Sequence, residues 1–208
     1  MVKMIDPINI TNYNRSVEGL EEVLLFWITA AGKNAITSSK NLNKFLLDVH
    51  RNLNQILFKP FWCIRKIGLN RLPDLLKNNG IGCYNNKAKS YWQIANSNLN
   101  LKKCSVEDLE SIYGIGMKTS RCFIIHSRKN AKHAGLDTHI LKFLKDSGVD
   151  CSSSTPSSKK EYLRLESIFL KKSENANLTP SDFDLLIWRV YSGRPANDEE
   201  VKFLKSLM

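Results

Sequence analysis

Residues 112–144 read IYGIGMKTSRCFIIHSRKNAKHAGLDTHILKFL, and this stretch decides the fold. A helix that ends at Tyr113 meets Gly114-Ile115-Gly116, and a second helix starts at once with Met117, Lys118 and Thr119. Two glycines around one apolar residue make a tight hairpin: glycine permits positive φ and close approach, and Ile115 can pin the turn to a core. The backbone N–H groups of such a turn, at the positive end of the following helix, form a ready anion site for which a phosphate is the natural ligand. An ordinary helical turn would use the same residues, so the neighbours matter. Lys118 lies in the first turn of the second helix, and Asp137, 19 residues later, is a natural N-cap for a third helix beginning Thr138-His139-Ile140. An amine at one helix start and a carboxylate at another are the two groups a reaction at a cleft would need.

Outward from this stretch, helical periodicity dominates and alternating strand patterns are scarce. From Val17 to Ala31, Leu20, Val23, Leu24, Trp27 and Ile28 have the three-and-four spacing of a buried helix face, which Leu42, Phe45, Leu46 and Val49 repeat. Ser105 with Asp108 three residues on is a capping box ahead of Val106, Leu109 and Ile112. Thr155-Pro156 is expected to open a helix bearing Tyr162, Leu165, Ile168 and Phe169, and Thr179-Pro180 another bearing Phe183, Leu186, Ile187 and Val190. Asp198 is expected to cap a last short helix. The class is all-α, with roughly nine to eleven short helices at ordinary helix and loop lengths. Residues 152–158 are Ser-rich and read as a connector.

Composition narrows the partner. The 208 residues carry 31 Lys and Arg against 20 Asp and Glu, a net +11, and are 42% hydrophobic. That apolar fraction suffices for one sizeable core or two smaller lobes and excludes intrinsic disorder as the main description. Residues 1–150 hold 22 Lys/Arg and 12 Asp/Glu, residues 151–208 only 9 and 8, so contacts with a polyanion belong mostly to the first part. The longest apolar run, Val23 to Ala31, falls far short of the roughly 20 residues of a bilayer span. No membrane partner is expected, and a soluble, cytoplasmic protein with a polyanion as partner is. Five cysteines at wide spacings, without a C-x-x-C pair, encode neither a disulfide framework nor a metal or iron-sulfur site. No metal or cofactor is expected.

The pattern G-I-G-x-K-T at Gly114–Thr119, followed by L-D-T-H-I at Leu136–Ile140, resembles the core of the helix-hairpin-helix DNA glycosylases, the superfamily of endonuclease III and the 8-oxoguanine DNA glycosylases. Gly82-Cys83-Tyr84-Asn85-Asn86-Lys87-Ala88 is similar to their G-x-Y-N-x-K-A segment, and Ala30 to Ala35 lies where the family places a loop that inserts into the duplex. The likeness spans residues 25–145. The stretch HSRKNA before LDTHILK and the later FDLLIW are similar to microbial and viral proteins labelled 8-oxoguanine glycosylases. Two departures stand out: Tyr113 occupies the usual proline position before the first hairpin glycine, and the four-cysteine cluster of endonuclease III is absent, which implies a cluster-free branch.

The resemblance implies two helical lobes around a DNA-binding cleft. Residues 1–34 and 146–208 would form one lobe; residues 35–145, with the hairpin at about 105–128, the other. It implies a monomer acting on double-stranded DNA that carries a modified base, extruded from the stack for excision. It gives Lys118 the role of nucleophile at the sugar C1′, the step before β-elimination nicks the strand, and Asp137 that of stabilising the charge developing on the sugar. Gly114, Gly116 and Thr119 would hold phosphate. Lys33 and Asn34 are candidates for the duplex-filling loop, and Tyr84, Asn85 and Lys87 for the opposite strand. Gly32, Asp184 and Trp188 could border a base pocket, although Asp184 and Trp188 sit in a stripe that also reads as core. 8-Oxoguanine leads as substrate. Its rivals are a hypermodified phage pyrimidine, removed as antiviral defence, a non-catalytic hairpin module that only holds DNA, and an enzyme acting on nucleotides or modified thymines with the same scaffold.

Overall fold

The computed structural model describes residues 5–53, 59–193 and 196–208. Among the described residues there are eleven α-helices and no strand. The chain divides into two compact units, Met1–Phe123 and Ile124–Met208, and the division falls within a single helix, α7 (Met117–Ser127).

The first unit is built around α1 (Val17–Ala30), which packs on α2 (Ala35–Asn52), α3 (Pro60–Ile67) and α5 (Tyr84–Asn96). Ser16 caps α1 through the Gly19 amide, and every residue from Glu22 to Ala30 is buried. The expected apolar stripe is therefore wider than a face, because neighbours cover the helix on several sides. Glu21 reaches from α1 to α3, its Oε2 accepting from the Phe61 amide at 2.9 Å. Pro60 leaves no amide of its own to satisfy there. The short α4 (Leu72–Asn78) lies against α5, and Arg65 of α3 donates to the Ala95 carbonyl at the far end of α5. The Ser105–Asp108 capping box forms as expected at the start of α6 (Val106–Glu110).

In the second unit α10 (Pro180–Tyr191) is the hub, packing on α8 (Thr138–Asp146), α9 (Lys159–Asn175) and α11 (Asp198–Ser206). Phe183 meets Phe143 of α8 edge-on at 5.5 Å and Phe169 of α9 at 5.2 Å, and Arg189 pairs with Glu200 of α11. Thr179-Pro180 opens α10 as expected, with Thr179 accepting from the Asp182 amide.

Two expected helix starts move. α9 begins not at Thr155-Pro156 but at Lys159, with Ser158 as cap, because the Thr155 hydroxyl donates instead to the Leu136 carbonyl at 2.9 Å. α11 is capped by Asn197, whose Oδ1 accepts from the Glu200 amide in a reciprocal box, and Asp198 is its first helical residue. The Ser-rich connector lies inside the second unit.

One carboxylate in the first unit is buried beyond what its partners offset. Glu22 is 8% exposed, and burial raises its pKa to about 7 despite the attraction of Arg15, with Glu21 and Glu18 adding to the rise. The folded state thus holds a proton that the unfolded chain releases near the ordinary carboxylate value, so stability is complete at acid pH and falls as pH rises toward and through 7. The loss is on the order of 2 kcal/mol. In melts from pH 5 to pH 8 at constant ionic strength, Glu22→Gln should lack most of this decline; an identical slope in wild type and variant would refute the assignment.

Candidate active site

The hairpin is assembled from both of its helices and from α5. Ile112 and Ile115 are buried, and the Ile115 amide donates to the Ile112 carbonyl at 3.1 Å. Gly114 has φ +78°, and a Cβ there would run into the Ser90 hydroxyl of α5; only glycine meets both demands. Gly116 differs. Nothing lies within 4 Å of where its Cβ would be, so its bare backbone faces open space, as close approach by a ligand requires. The hairpin base is closed by Glu110, the last residue of α6, whose Oε1 accepts from Arg121 at 2.5 Å and from the Ser120 hydroxyl at 2.9 Å. Arg121 is 2% exposed and also donates to the Met117 carbonyl.

Lys118 emerges half-buried from the first turn of α7, its Nζ 5.1 Å from the ring centroid of Trp27 on α1. A cation over an indole face is attracted by the ring quadrupole, and the contact gives a flexible side chain a defined resting place. Thr119 is 4% exposed, so it is enclosed beside the hairpin and presents little surface to a ligand.

The loop after α1 and the segment leading into α5 lie side by side. Gly32 has φ +66° with open space around it, and a Cβ on Gly82 would touch Lys33 Cε at 3.2 Å. Asn34 caps α2, accepting from the Ile36 and Thr37 amides. Tyr84 is half-buried under Lys77 Nζ at 5.6 Å, and Asn85 is exposed. Lys87 turns inward: it is 6% exposed and donates to the Thr29 carbonyl at 2.5 Å. Burial holds its ammonium below the usual lysine range, with Cys83 opposing and Lys33 reinforcing the shift.

In the second unit, Asp137 caps α8, its Oδ1 accepting from the amides of His139 at 2.9 Å and Ile140 at 3.0 Å. The loop before it is clamped by α9. Tyr162 accepts from the Leu136 amide at 3.0 Å and donates to the Ala134 carbonyl at 2.8 Å, while Glu166 accepts from the Ala134 amide at 2.8 Å. With Thr155 on the Leu136 carbonyl, three side chains determine the path of the backbone into Asp137. Sequence reading missed this clamp because Tyr162 sits in an apolar stripe; Glu166 one turn later was the available signal. Asp184 is buried and its Oδ2 is 3.3 Å from His126 Nε2. Trp188 is half-exposed, unlike its buried neighbours Leu186 and Ile187. Among the described residues no three His, Cys, Asp or Glu side chains gather as a metal site, and no helix is long and apolar enough to cross a membrane.

No protein-family model matches the chain. It is 28% identical over 161 residues to an 8-oxoguanine DNA glycosylase/AP lyase of Sulfolobus acidocaldarius, covering 70% of this chain and 74% of that one. Its fold matches that of the Methanocaldococcus jannaschii 8-oxoguanine glycosylase/lyase in complex with DNA containing 8-oxoguanine, with a TM-score of 0.62 at 22% identity over 88% of this chain and 86% of that one. It also matches the 8-oxoguanine DNA glycosylase of Thermotoga maritima, with a TM-score of 0.64 at 24% identity over 86% and 85%.

Two substitutions test the local geometry. Gly114→Ala should lower stability by about 2 kcal/mol or more, through positive φ and the collision with Ser90. Adding Ser90→Ala should return the steric part and leave about 1 kcal/mol, read from urea midpoints; a double variant no more stable than Gly114→Ala would show that the collision is not the cause. Tyr162→Phe strands a buried amide and a buried carbonyl at about 2 kcal/mol. It should accelerate exchange of the Leu136 amide beyond that of the α9 amides, whereas a uniform change would mean that no local clamp was lost.

Proposed function

The chain belongs to the helix-hairpin-helix DNA glycosylase superfamily, and on that premise we propose that it excises 8-oxoguanine from double-stranded DNA and cleaves the strand as an AP lyase, with Lys118 as nucleophile and Asp137 as the essential carboxylate. The observation that carries this reading is the setting of Lys118: directly after a glycine hairpin with open backbone, in the first turn of α7, its amine resting on Trp27.

In this reading the hairpin amides hold a strand phosphate and the damaged nucleotide is turned out of the stack. As the N-glycosidic bond breaks, its electron pair leaves with the base, which takes up a proton. Lys118, as the free amine, forms the new bond to C1′ and gives up a proton. Ring opening then yields a Schiff base, with the former ring oxygen becoming a hydroxyl. Loss of a C2′ proton from that imine expels the 3′ phosphate and cuts the strand. Asp137 stabilises the positive charge on the sugar and receives the proton that Lys118 loses. The two N–H bonds to its Oδ1 fix the direction of the carboxylate for that work. The enzyme acts as a monomer, and its substrate places it inside the cell.

Borohydride trapping on duplexes carrying 8-oxoguanine, an oxidised pyrimidine or glucosylated hydroxymethylcytosine tests the assignment. Wild type should form a covalent adduct on the 8-oxoguanine duplex, and Lys118→Gln should form none. Asp137→Asn keeps a side chain able to cap α8, so folding and DNA binding should persist while excision falls by at least about a hundredfold. Trapping by Lys118→Gln would give the nucleophile to another residue. Binding without adduct or base release on every duplex would make the protein a non-catalytic hairpin module.

A further inference from the structure

Tyr113, which stands where the family usually has proline, carries an exposed aromatic ring immediately before the hairpin glycine. It is 48% exposed, yet its two donors are both anchored on α5: the amide donates to Gln93 Oε1 at 2.8 Å and the phenol to Asn86 Oδ1 at 3.2 Å. Lys89, one turn beyond Asn86, holds its Nζ 5.8 Å from the centre of the same ring. An exposed ring held at both ends is a built surface feature and not a stray side chain. The Tyr113 hydroxyl donates to Asn86 Oδ1, which fixes the orientation of the Asn86 side chain, and both Asn86 and Lys89 are exposed. The surroundings favour an anion. Residues 75–106 contain five lysines and no Asp or Glu, so within that segment nothing competes for the ammonium.

We propose that Asn86, Lys89 and Tyr113 form a second phosphate site on the DNA backbone, contiguous with the hairpin, in which Tyr113 orients the other two. The occupant is the phosphate next to the one held at Gly114–Gly116 on the same strand, which ties the register of the duplex to the hairpin. Lys89 supplies the charge, Asn86 a directional neutral donor, and the Tyr113 ring a flat face for the intervening sugar. The inference rests on the reading of the protein as a DNA glycosylase.

The test is fluorescence anisotropy on a duplex containing a tetrahydrofuran abasic analogue, titrated across salt concentrations, with borohydride trapping on an 8-oxoguanine duplex run in parallel. Lys89→Gln should weaken binding about tenfold at low salt and reduce the slope of log affinity against log salt by about one. Asn86→Ala should weaken binding several-fold at every salt with the slope unchanged, because it removes a neutral donor. Tyr113→Phe, which keeps the ring, should reproduce part of the Asn86 loss, and in Tyr113→Phe/Asn86→Ala the two effects should fall short of additive. Circular dichroism melts exclude misfolding at these exposed positions. A Lys89→Gln slope equal to wild type, or strictly additive Tyr113 and Asn86 effects, overturns the proposal. If wild type itself neither binds the duplex nor forms an adduct, it is the glycosylase reading that fails; if wild type does both and the variants match it, only the second phosphate site fails.

Discussion

A single carboxylate at the end of α6 underlies the site. Glu110 gathers a buried guanidinium and a hydroxyl from successive residues of α7, closing the hairpin from below while Ile112 and Ile115 close it from within. Arginine cannot shed its charge at any accessible pH. Once Arg121 is enclosed, its partner has to be in place, and only one arrangement of the two helices supplies it. Such a pair contributes little net stability after desolvation but penalises alternatives heavily. The glycines then need only trace a path that is already prescribed, and Lys118 leaves α7 at a defined point relative to Trp27.

What could be read from the chain alone divides along physical lines. Caps and turns are local: Ser105 with Asp108, Thr179 with Pro180 and Asp137 ahead of Thr138 each satisfy amides within three residues, so the chemistry of each motif is complete in the sequence. Thr155 failed as a helix start for the opposite reason. Its hydroxyl is claimed by Leu136, 19 residues away, and no window on the sequence contains that competition. The same holds for Lys87, whose place in a family motif suggested an outward contact, whereas its ammonium meets the carbonyl of Thr29, 58 residues away. Trp27 is intermediate: the helical stripe identified it as core, and packing gave its ring a second role beneath Lys118.

In the proposed reaction Asp137 would combine a structural and a chemical duty in one side chain. One oxygen caps α8, which fixes the carboxylate's direction, while Tyr162, Glu166 and Thr155 determine the backbone that delivers it. The capping amides of α8 also bring the positive end of a helix dipole to the same group. The loop thereby presents a negative charge in one orientation, the preorganisation that electrostatic stabilisation of a cationic transition state requires.

The inward turn of Lys87 and the enclosure of Arg121 change what the basic composition means for encounter with a partner. Both contribute to the +11, yet neither presents its head group to solvent, and a formal charge sum therefore overstates the field a distant duplex would feel. Long-range steering depends on charges at the surface. On α5 the outward cation is Lys89, two positions beyond its buried counterpart, so a rotation of that helix by half a turn would exchange the lysine that contributes to the surface field for the one that holds the scaffold.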